Sequence, residues 1–298
     1  MTAVSMTAPT AFGWRDRIVV VGTGPAGMAA ADELRRLGFT GDLTVLGDER
    51  PYDRPACSKG LLSGHQEPSD VALRMPEAPM ELRLGRRVAE VERRRNRWRL
   101  TLDDGEYIVA DVVLVTAGER PDTQWLASAG FDLSDGVRCD ENLRVRGAYG
   151  VVAAGVIARW PNLRFSTRET RCGQWIAAME QGRAAAASLL AGDRPVPPVT
   201  LLPRFWSQQA DLRIQACGLI DPNAEVAVTR MRPSRSDGAR SGVMATFYRD
   251  GTMCGLVAVN APHAFTGTTR VLLHDVPHDV IHQRAAEYAT GEHAYVSA

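Results

Sequence analysis

Lysine is almost missing from this chain: Lys59 is the single lysine beside 34 arginines. An excess of either charge is also absent, with 35 basic against 35 acidic residues, so no global field draws in nucleic acid or an anionic membrane. No apolar run reaches the roughly 18 residues of a membrane span. The start, MTAVSMTAPTAFGW, lacks the basic and hydrophobic stretches of a secretory leader, so the expected location is the cytoplasm. Five cysteines, at 57, 139, 172, 217 and 254, include no CxxC pair, which excludes a disulfide framework and a zinc site and leaves free thiols. Internal repeats and low-complexity blocks are missing too. What remains is 298 residues, 45% apolar and 23% charged, enough for one large domain or two modest ones.

The lone lysine has two readings. Codon bias explains the arginines, and Lys59 is then a chance survivor. Otherwise it marks a site that needs a compact ammonium, which a guanidinium cannot replace.

After fifteen small and polar residues, RIVVV (Arg17 to Val21) reads as a buried strand, GTGPAG (Gly22 to Gly27) as a tight turn and Pro25 to Leu37 as a helix ended by Gly38. LTVL (Leu43 to Leu46) is a second strand with Asp48 just beyond it. This is the dinucleotide-binding pattern in its required setting. Gly22 permits the turn, Gly24 lets backbone N–H groups approach a pyrophosphate, Gly27 lets helix pack on strand, and Asp48 is spaced to accept from a ribose hydroxyl. The alternative is a glycine-rich turn in some other α/β domain. From Leu82 the pattern turns antiparallel: one run to Val91, then RWRLTL (Arg97 to Leu102), an Asp104-Gly105 turn, and YIVADVVLVTAG (Tyr107 to Gly118) returning to a buried parallel sheet. Residues 151 to 155 form another inner strand, and Gln174 to Ala191 a helix. DRPVPPV (Asp193 to Val199) is the best linker, followed by strands near Arg213 to Cys217 and Val226 to Thr229 and a hairpin turned by Asp250-Gly251, with short helices at the end. The expected division is a flexible start (1–15), a dinucleotide-binding domain (16–196) and a C-terminal α+β domain (197–298).

The chain resembles the FAD-dependent ferredoxin reductases of aromatic-dioxygenase and cytochrome P450 systems, the group that includes putidaredoxin reductase and apoptosis-inducing factor. The residues that carry the likeness are VVVGTGPAG, VLGDERPYDRPACSKGLL (Val45 to Leu62), LGRRVAEV, DDGEYIVADVVLVTAGERP, GVRCDENLRVRGAYGVVAAG (Gly136 to Gly155), QWIAAMEQGRAAA (Gln174 to Ala186) and PRFWSQQADLRIQACGL (Pro203 to Leu219). The resemblance implies an α/β fold: a glutathione-reductase-type FAD-binding domain, with a Rossmann-like parallel sheet and an antiparallel excursion, plus the C-terminal α+β domain. It implies FAD with Gly22, Gly24, Pro25, Ala26 and Gly27 at the pyrophosphate, Asp48 at the adenosine ribose, Val88 near the adenine and Arg54 close to the phosphates. Lys59 is then beside the isoalloxazine, Phe205 and Trp206 cover part of the ring, and the helix opening at Gln174 and Trp175 points its N-terminus at the pyrimidine edge, where it stabilises negative charge.

Two departures stand out. The group carries a second nucleotide-binding domain for NAD(P)H, whereas here TAGERP (Thr116 to Pro121) runs almost directly into DTQWLASAGF and no second GxGxxG occurs. The group's Gly-Asp, whose carboxylate holds the ribityl chain, reads Gly155-Val156, a loss of one charge-assisted hydrogen bond of about 1.5–3 kcal/mol. With the inserted domain gone, Lys59 is expected to lose the glutamate that partners it and to balance reduced flavin or act as a base toward substrate.

Cys57, two residues before Lys59, is either a flavin-facing redox thiol or a small apolar filler, and Cys172 is a second thiol of the same kind. His274, His278 and His282 recur every four residues, but Pro277 interrupts a helical metal face, so they read as surface histidines. RMRPSRSDGARSG (Arg230 to Gly242) reads as a mobile surface loop or a receiver for an acidic partner. Three functions stay open: an FAD-dependent oxidoreductase acting on a small organic substrate by hydride transfer without its own NAD(P)H site; a flavoprotein subunit exchanging electrons with a separate reductase or a ferredoxin; and an FAD-bound protein with a redox-neutral or binding role. Loss of a domain exposes apolar surface, so a homo-oligomer is also expected.

Overall fold

Ile18–Val21 are buried on both faces, as inner strands of a parallel sheet require, and they form most of β1 (Arg17–Val21). The computed structural model describes residues 16–73, 79–117, 123–166, 168–209, 211–231 and 241–274. Next comes α1 (Pro25–Arg36), opened by proline at its first position and closed by Arg35 and Arg36, which suit the negative end of the helix. β2 (Asp42–Gly47) follows. A single turn, α2 (Arg54–Ala56), then widens into a π-helical turn over Cys57–Leu61.

Two runs break where single strands are expected. Gly85, in the left-handed region at φ 68°, divides Leu82 to Val91 into β3 (Glu81–Leu84) and β4 (Val88–Arg94). β3 is parallel to β2 and belongs to the main sheet, so the antiparallel arm starts only at β4. In β5 (Arg97–Leu102) Trp98, Leu100 and Leu102 are buried at alternate positions. The second run breaks at Asp111 into β6 (Tyr107–Ala110), antiparallel to β5, and β7 (Val112–Val115), parallel to β1. The Asp111 carboxylate accepts the Arg17 N–H at 2.9 Å and pairs with Arg97 at 2.9 Å, fixing the chain where it changes sheet.

A 3-10 turn over Gln124–Ala129 leads to β8 (Val137–Arg138), β9 (Val151–Ala153), β10 (Ala158–Pro161), β11 (Glu169–Thr170) and α3 (Trp175–Ala191). The main sheet has the order β3-β2-β1-β7-β9, with β4-β5-β6 as a separate antiparallel sheet and β11-β10-β8 as a third. α1 and α3 approach closely because both are rich in alanine and glycine; a Cβ on Gly182 would collide with the Ala26 carbonyl.

The remaining elements are β12 (Arg204–Gln209), β13 (Leu212–Gly218), β14 (Glu225–Met231), β15 (Gly242–Arg249), β16 (Thr252–Val259) and α4 (Pro262–His274). They make an antiparallel sheet of order β12-β13-β16-β15-β14. Asp250 and Gly251 both take positive φ, 49° and 73°, as a two-residue hairpin turn of the mirror-image type requires.

The described chain divides into two compact units, residues 16–57 with 64–201, and residues 58–63 with 202–274. The proline-rich stretch after α3 is pinned along the first unit. Asn142 donates to the Val196 and Pro197 carbonyls at 3.1 and 3.0 Å, and the Trp160 indole donates to the Val199 carbonyl at 3.1 Å. Among the described residues no helix is long and apolar enough to cross a membrane. The first fifteen residues, His278, His282 and most of the Arg230 to Gly242 tract lie outside the described residues, and His274 ends α4.

Candidate functional site

The turn between β1 and α1 is built by backbone. Gly22 sits at φ 122° and donates to the Leu46 carbonyl at 2.7 Å. The buried Thr116 hydroxyl donates to the Val21 carbonyl at 2.8 Å and braces the turn from β7's end. A Cβ on Gly22 would strike Thr116, and one on Gly27 would strike the Gly22 carbonyl. At Gly24 a Cβ would meet nothing within 4 Å, so this glycine faces open space.

Gly24 is also the N-cap of α1, and it has no side chain with which to cap. Pro25 has no N–H, and the N–H groups of the buried Ala26 and Gly27 have no acceptor within the helix. A buried, uncapped helix start of this kind carries partial positive charge and suits an anion. The Thr23 hydroxyl donates to the Glu49 carbonyl at 2.9 Å, tying the turn to the end of β2.

Asp48 stands immediately after β2. Its carboxylate pairs with Arg87, the residue preceding Val88, so the end of β2 and the half-buried start of β4 are joined through one ion pair. Arg54 pairs with Glu49 and lies over the Tyr52 ring, 5.3 Å from its centroid. On the other flank Gly155 follows β9 at φ 84°, against Ala26. Its N–H donates to the fully buried Gln181 side-chain oxygen at 2.6 Å. Val156, beside it, is half-buried.

α3 begins at the half-buried Trp175, and its N-cap Gln174 makes no capping bond; the Gln174 amide oxygen instead accepts from the Cys172 thiol. Burial pushes the Cys172 thiol up, and Cys139 still further, so neither is a ready thiolate. Cys57 is the exposed cysteine.

Lys59 lies in the π-helical turn, a feature common at functional sites, and belongs with Phe205 and Trp206 to the second unit. It is half-buried and keeps an interaction within the chain, which corrects the expectation that the ammonium stands alone. Phe205 and Trp206 are exposed neighbours on β12.

The structure thus gathers Gly22, Gly24, Pro25, Ala26, Gly27 and Gly155 at one cradle, and links Asp48 with Arg87, the neighbour of Val88 in the chain. Sequence reasoning passed over Thr116, Gln181 and Arg87. A threonine at the end of an apolar strand and a glutamine within an alanine-rich helix are the two signals that were there to find. The cradle fits a dinucleotide: open space at Gly24, buried N–H groups without helical acceptors, and an acid at the end of β2. Among the described residues no group of three His, Cys, Asp or Glu is placed to hold a metal.

Comparison with known proteins adds to this geometry. The sequence model of the pyridine nucleotide-disulphide oxidoreductase family matches residues 16–78 and 71–182, and that of the reductase C-terminal domain matches residues 204–287. The ferredoxin reductase component of chlorobenzene dioxygenase from Cupriavidus sp. (strain PS12) is 30% identical over 271 residues, 89% of this chain and 60% of that protein. Rhodocoxin reductase from Rhodococcus erythropolis is 28% identical over 87% of this chain and 57% of its own length. The chain therefore spans about 60% of the length of such relatives. The fold matches the covalent putidaredoxin reductase–putidaredoxin complex with a TM-score of 0.75 at 16% identity, covering 91% of this chain and 99% of that one.

Proposed function

Because the chain belongs to the pyridine nucleotide-disulphide oxidoreductase family, an FAD-binding family, we propose that it is an FAD-dependent oxidoreductase working without a nicotinamide-binding domain of its own. The observation that carries the reading is the open, uncapped start of α1 at Gly24, with Asp48 at the end of the next strand. The absence of a nicotinamide domain is supported by the short course between β7 and β9. Residues 116–150 run between them, and their described part forms one 3-10 turn and the two-residue β8, without the α-helix that a strand–helix–strand unit requires.

In this reading the Gly22–Gly27 turn and the start of α1 hold the pyrophosphate, Asp48 accepts from the ribose, and Val88 and Arg54 border the adenine and phosphates. Gly155 and Trp175 border the flavin side. A small organic substrate loses a hydride and a proton; Lys59 holds the proton or balances the new negative charge. When bound, FAD supplies the hydride acceptor, and dioxygen or an external carrier removes the electrons. Cys57 is an auxiliary thiol near Lys59 in the chain.

A second reading, exchange of electrons with a ferredoxin or a separate reductase, is favoured by the relatives. Those matched over most of this chain include a ferredoxin reductase component and a probable ferredoxin reductase.

Anaerobic absorbance titration tests the proposal. A yellow protein that ignores NADH and NADPH but bleaches with dithionite is the expected result. Rapid bleaching by NADH would sink the claim that no nicotinamide site is present. Substrate-driven bleaching that slows in Lys59→Met and loses its pH dependence supports the role of Lys59; unchanged rates and profile end it.

A further inference from the structure

The five-stranded sheet of the second unit has one closed face and one open face. The strand registers tell them apart, because residues directly opposite each other in a ladder point to the same side. α4 packs on β13 and β16, and Met244, Leu256 and Ala258, at the centre of the closed face, are fully buried. On the other side one row of opposed residues crosses every strand: Phe205, Ala216, Val257, Ala245 and Val228. Phe205 and Val228, at its two ends, are 42% and 65% exposed. Val257 and Ala245 between them are half-buried, and only the small Ala216 is shielded. The adjacent rows add one hydroxyl, Ser207, and one charge, Arg230; their other members are apolar or glycine.

Monomers rarely leave a contiguous apolar patch of more than a few hundred Å² open. Strands about 4.8 Å apart and about seven residues long give this sheet roughly 580 Å² of flat face. Two such faces laid together remove about 1,200 Å², the lower end of what a stable interface needs. The occupant must also be nearly uncharged where it meets the sheet. An acidic partner is recognised by several cations, and this face offers Arg230 alone. Residues 232–240, between β14 and β15, have no large apolar side chain to lay over it. A second copy brings the same charge-poor face, and a two-fold axis lets one self-complementary patch serve both partners.

We propose that two copies of the chain pack through this open face, sheet on sheet and about 10 Å apart, as a symmetric dimer. The row from Phe205 to Val228 then lies inside the interface.

Analytical ultracentrifugation of the full chain is the test. Wild type at about 10 μM is expected at twice the chain mass, with a Tm that rises with concentration. Val228→Glu puts an unpaired carboxylate into each half of the interface and is expected to weaken the dimer at least about 100-fold, leaving a monomer at the same concentration. Its circular dichroism should match wild type, since Val228 lies on an edge strand and is exposed in the single chain. Val226→Glu, on the same side of β14, decides the matter if Val228→Glu does not fold. Leu163→Glu, a like change at an exposed leucine outside this sheet, should leave the dimer intact. A wild-type chain that stays monomeric at about 100 μM overturns the proposal and means that another segment or another protein covers the face. A dimer that survives the β14 substitutions, or that Leu163→Glu disrupts equally, overturns it by moving the interface elsewhere.

Discussion

Asp48 receives both Nε and Nη2 of Arg87 on one carboxylate oxygen, Oδ2, at 3.1 and 2.9 Å. Both side chains are substantially exposed, so the pair adds only about 0.2–1 kcal/mol to stability. Its value lies in aiming Asp48 at the end of β2. Asp48→Ala is expected to weaken FAD binding about tenfold, one hydrogen bond's worth, with little change in unfolding midpoint. Arg87→Ala removes the aim but keeps the acceptor, and should lose about threefold or less. Calorimetric titration with FAD checks this. Equal losses in the two variants would mean that Asp48 acts only as Arg87's partner, and the ribose role would fail.

Gly22 and Gly24 stand two residues apart and should fail in opposite ways when changed to alanine. Gly22→Ala puts a Cβ into Thr116 at a φ that L-residues avoid, and should cost about 2–4 kcal/mol of folding stability. Gly24→Ala meets no protein atom and keeps an ordinary φ of −75°, so the cofactor-free protein should be as stable as wild type or gain up to about 1 kcal/mol. Its methyl group instead occupies the space next to the uncapped helix start and should block FAD. Urea unfolding of the cofactor-free chains, beside FAD titrations, separates the two. A Gly24→Ala chain that binds FAD normally would remove the dinucleotide from this cradle.

Much of this architecture is legible in the residues. RIVVV, the glycine turn and LTVL each carry a strong local signal, because a strand buried on both faces must be apolar throughout and a tight turn must be glycine. The breaks at Gly85 and Asp111 were not legible in the same way. The residues on either side of each break read as strand, and what changes there is the sheet they join, a property of partners distant in sequence. Gln181 escaped for a related reason: in sequence it is a polar residue on a helix, and only the α1–α3 packing shows that it is buried against Gly155. Lys59 was singled out by composition, but the interaction that it makes had no local signal.

Acid should loosen the α1 region through Glu33. Hydrogen bonds from Arg36, at 2.6 and 2.5 Å, hold this largely buried carboxyl below the ordinary glutamate value, against the opposing effect of burial. A depressed folded-state pKa gives stability that is fully present above the unfolded value of about 4.3 and disappears as pH falls through the lower folded value. Glu33→Gln should therefore be less stable than wild type near pH 7, and the gap should close below about pH 4. Urea midpoints from pH 7 to pH 3 measure this. A gap that stays constant across the range would mean that the Glu33–Arg36 pair contributes nothing through charge.

Cysteine reactivity separates a working thiol from filler. Alkylation needs the thiolate and access to it. Cys139, Cys172, Cys217 and Cys254 are buried, and burial raises the thiols of Cys139, Cys172 and Cys254. Cys57 is exposed at the start of the π-helical turn that holds Lys59. Iodoacetamide at pH 8 should therefore add one label to the folded chain, and peptide mass spectrometry should find it on Cys57. If FAD lies beside this turn, the bound cofactor should slow labelling several-fold. Cys57→Ser should then leave FAD binding intact, and unchanged substrate-driven bleaching in that variant would assign the thiol to filler. Loss of bleaching with FAD still bound would give Cys57 a part in the chemistry, since the hydroxyl matches the thiol in size and differs in its ability to carry electrons and form a thiolate.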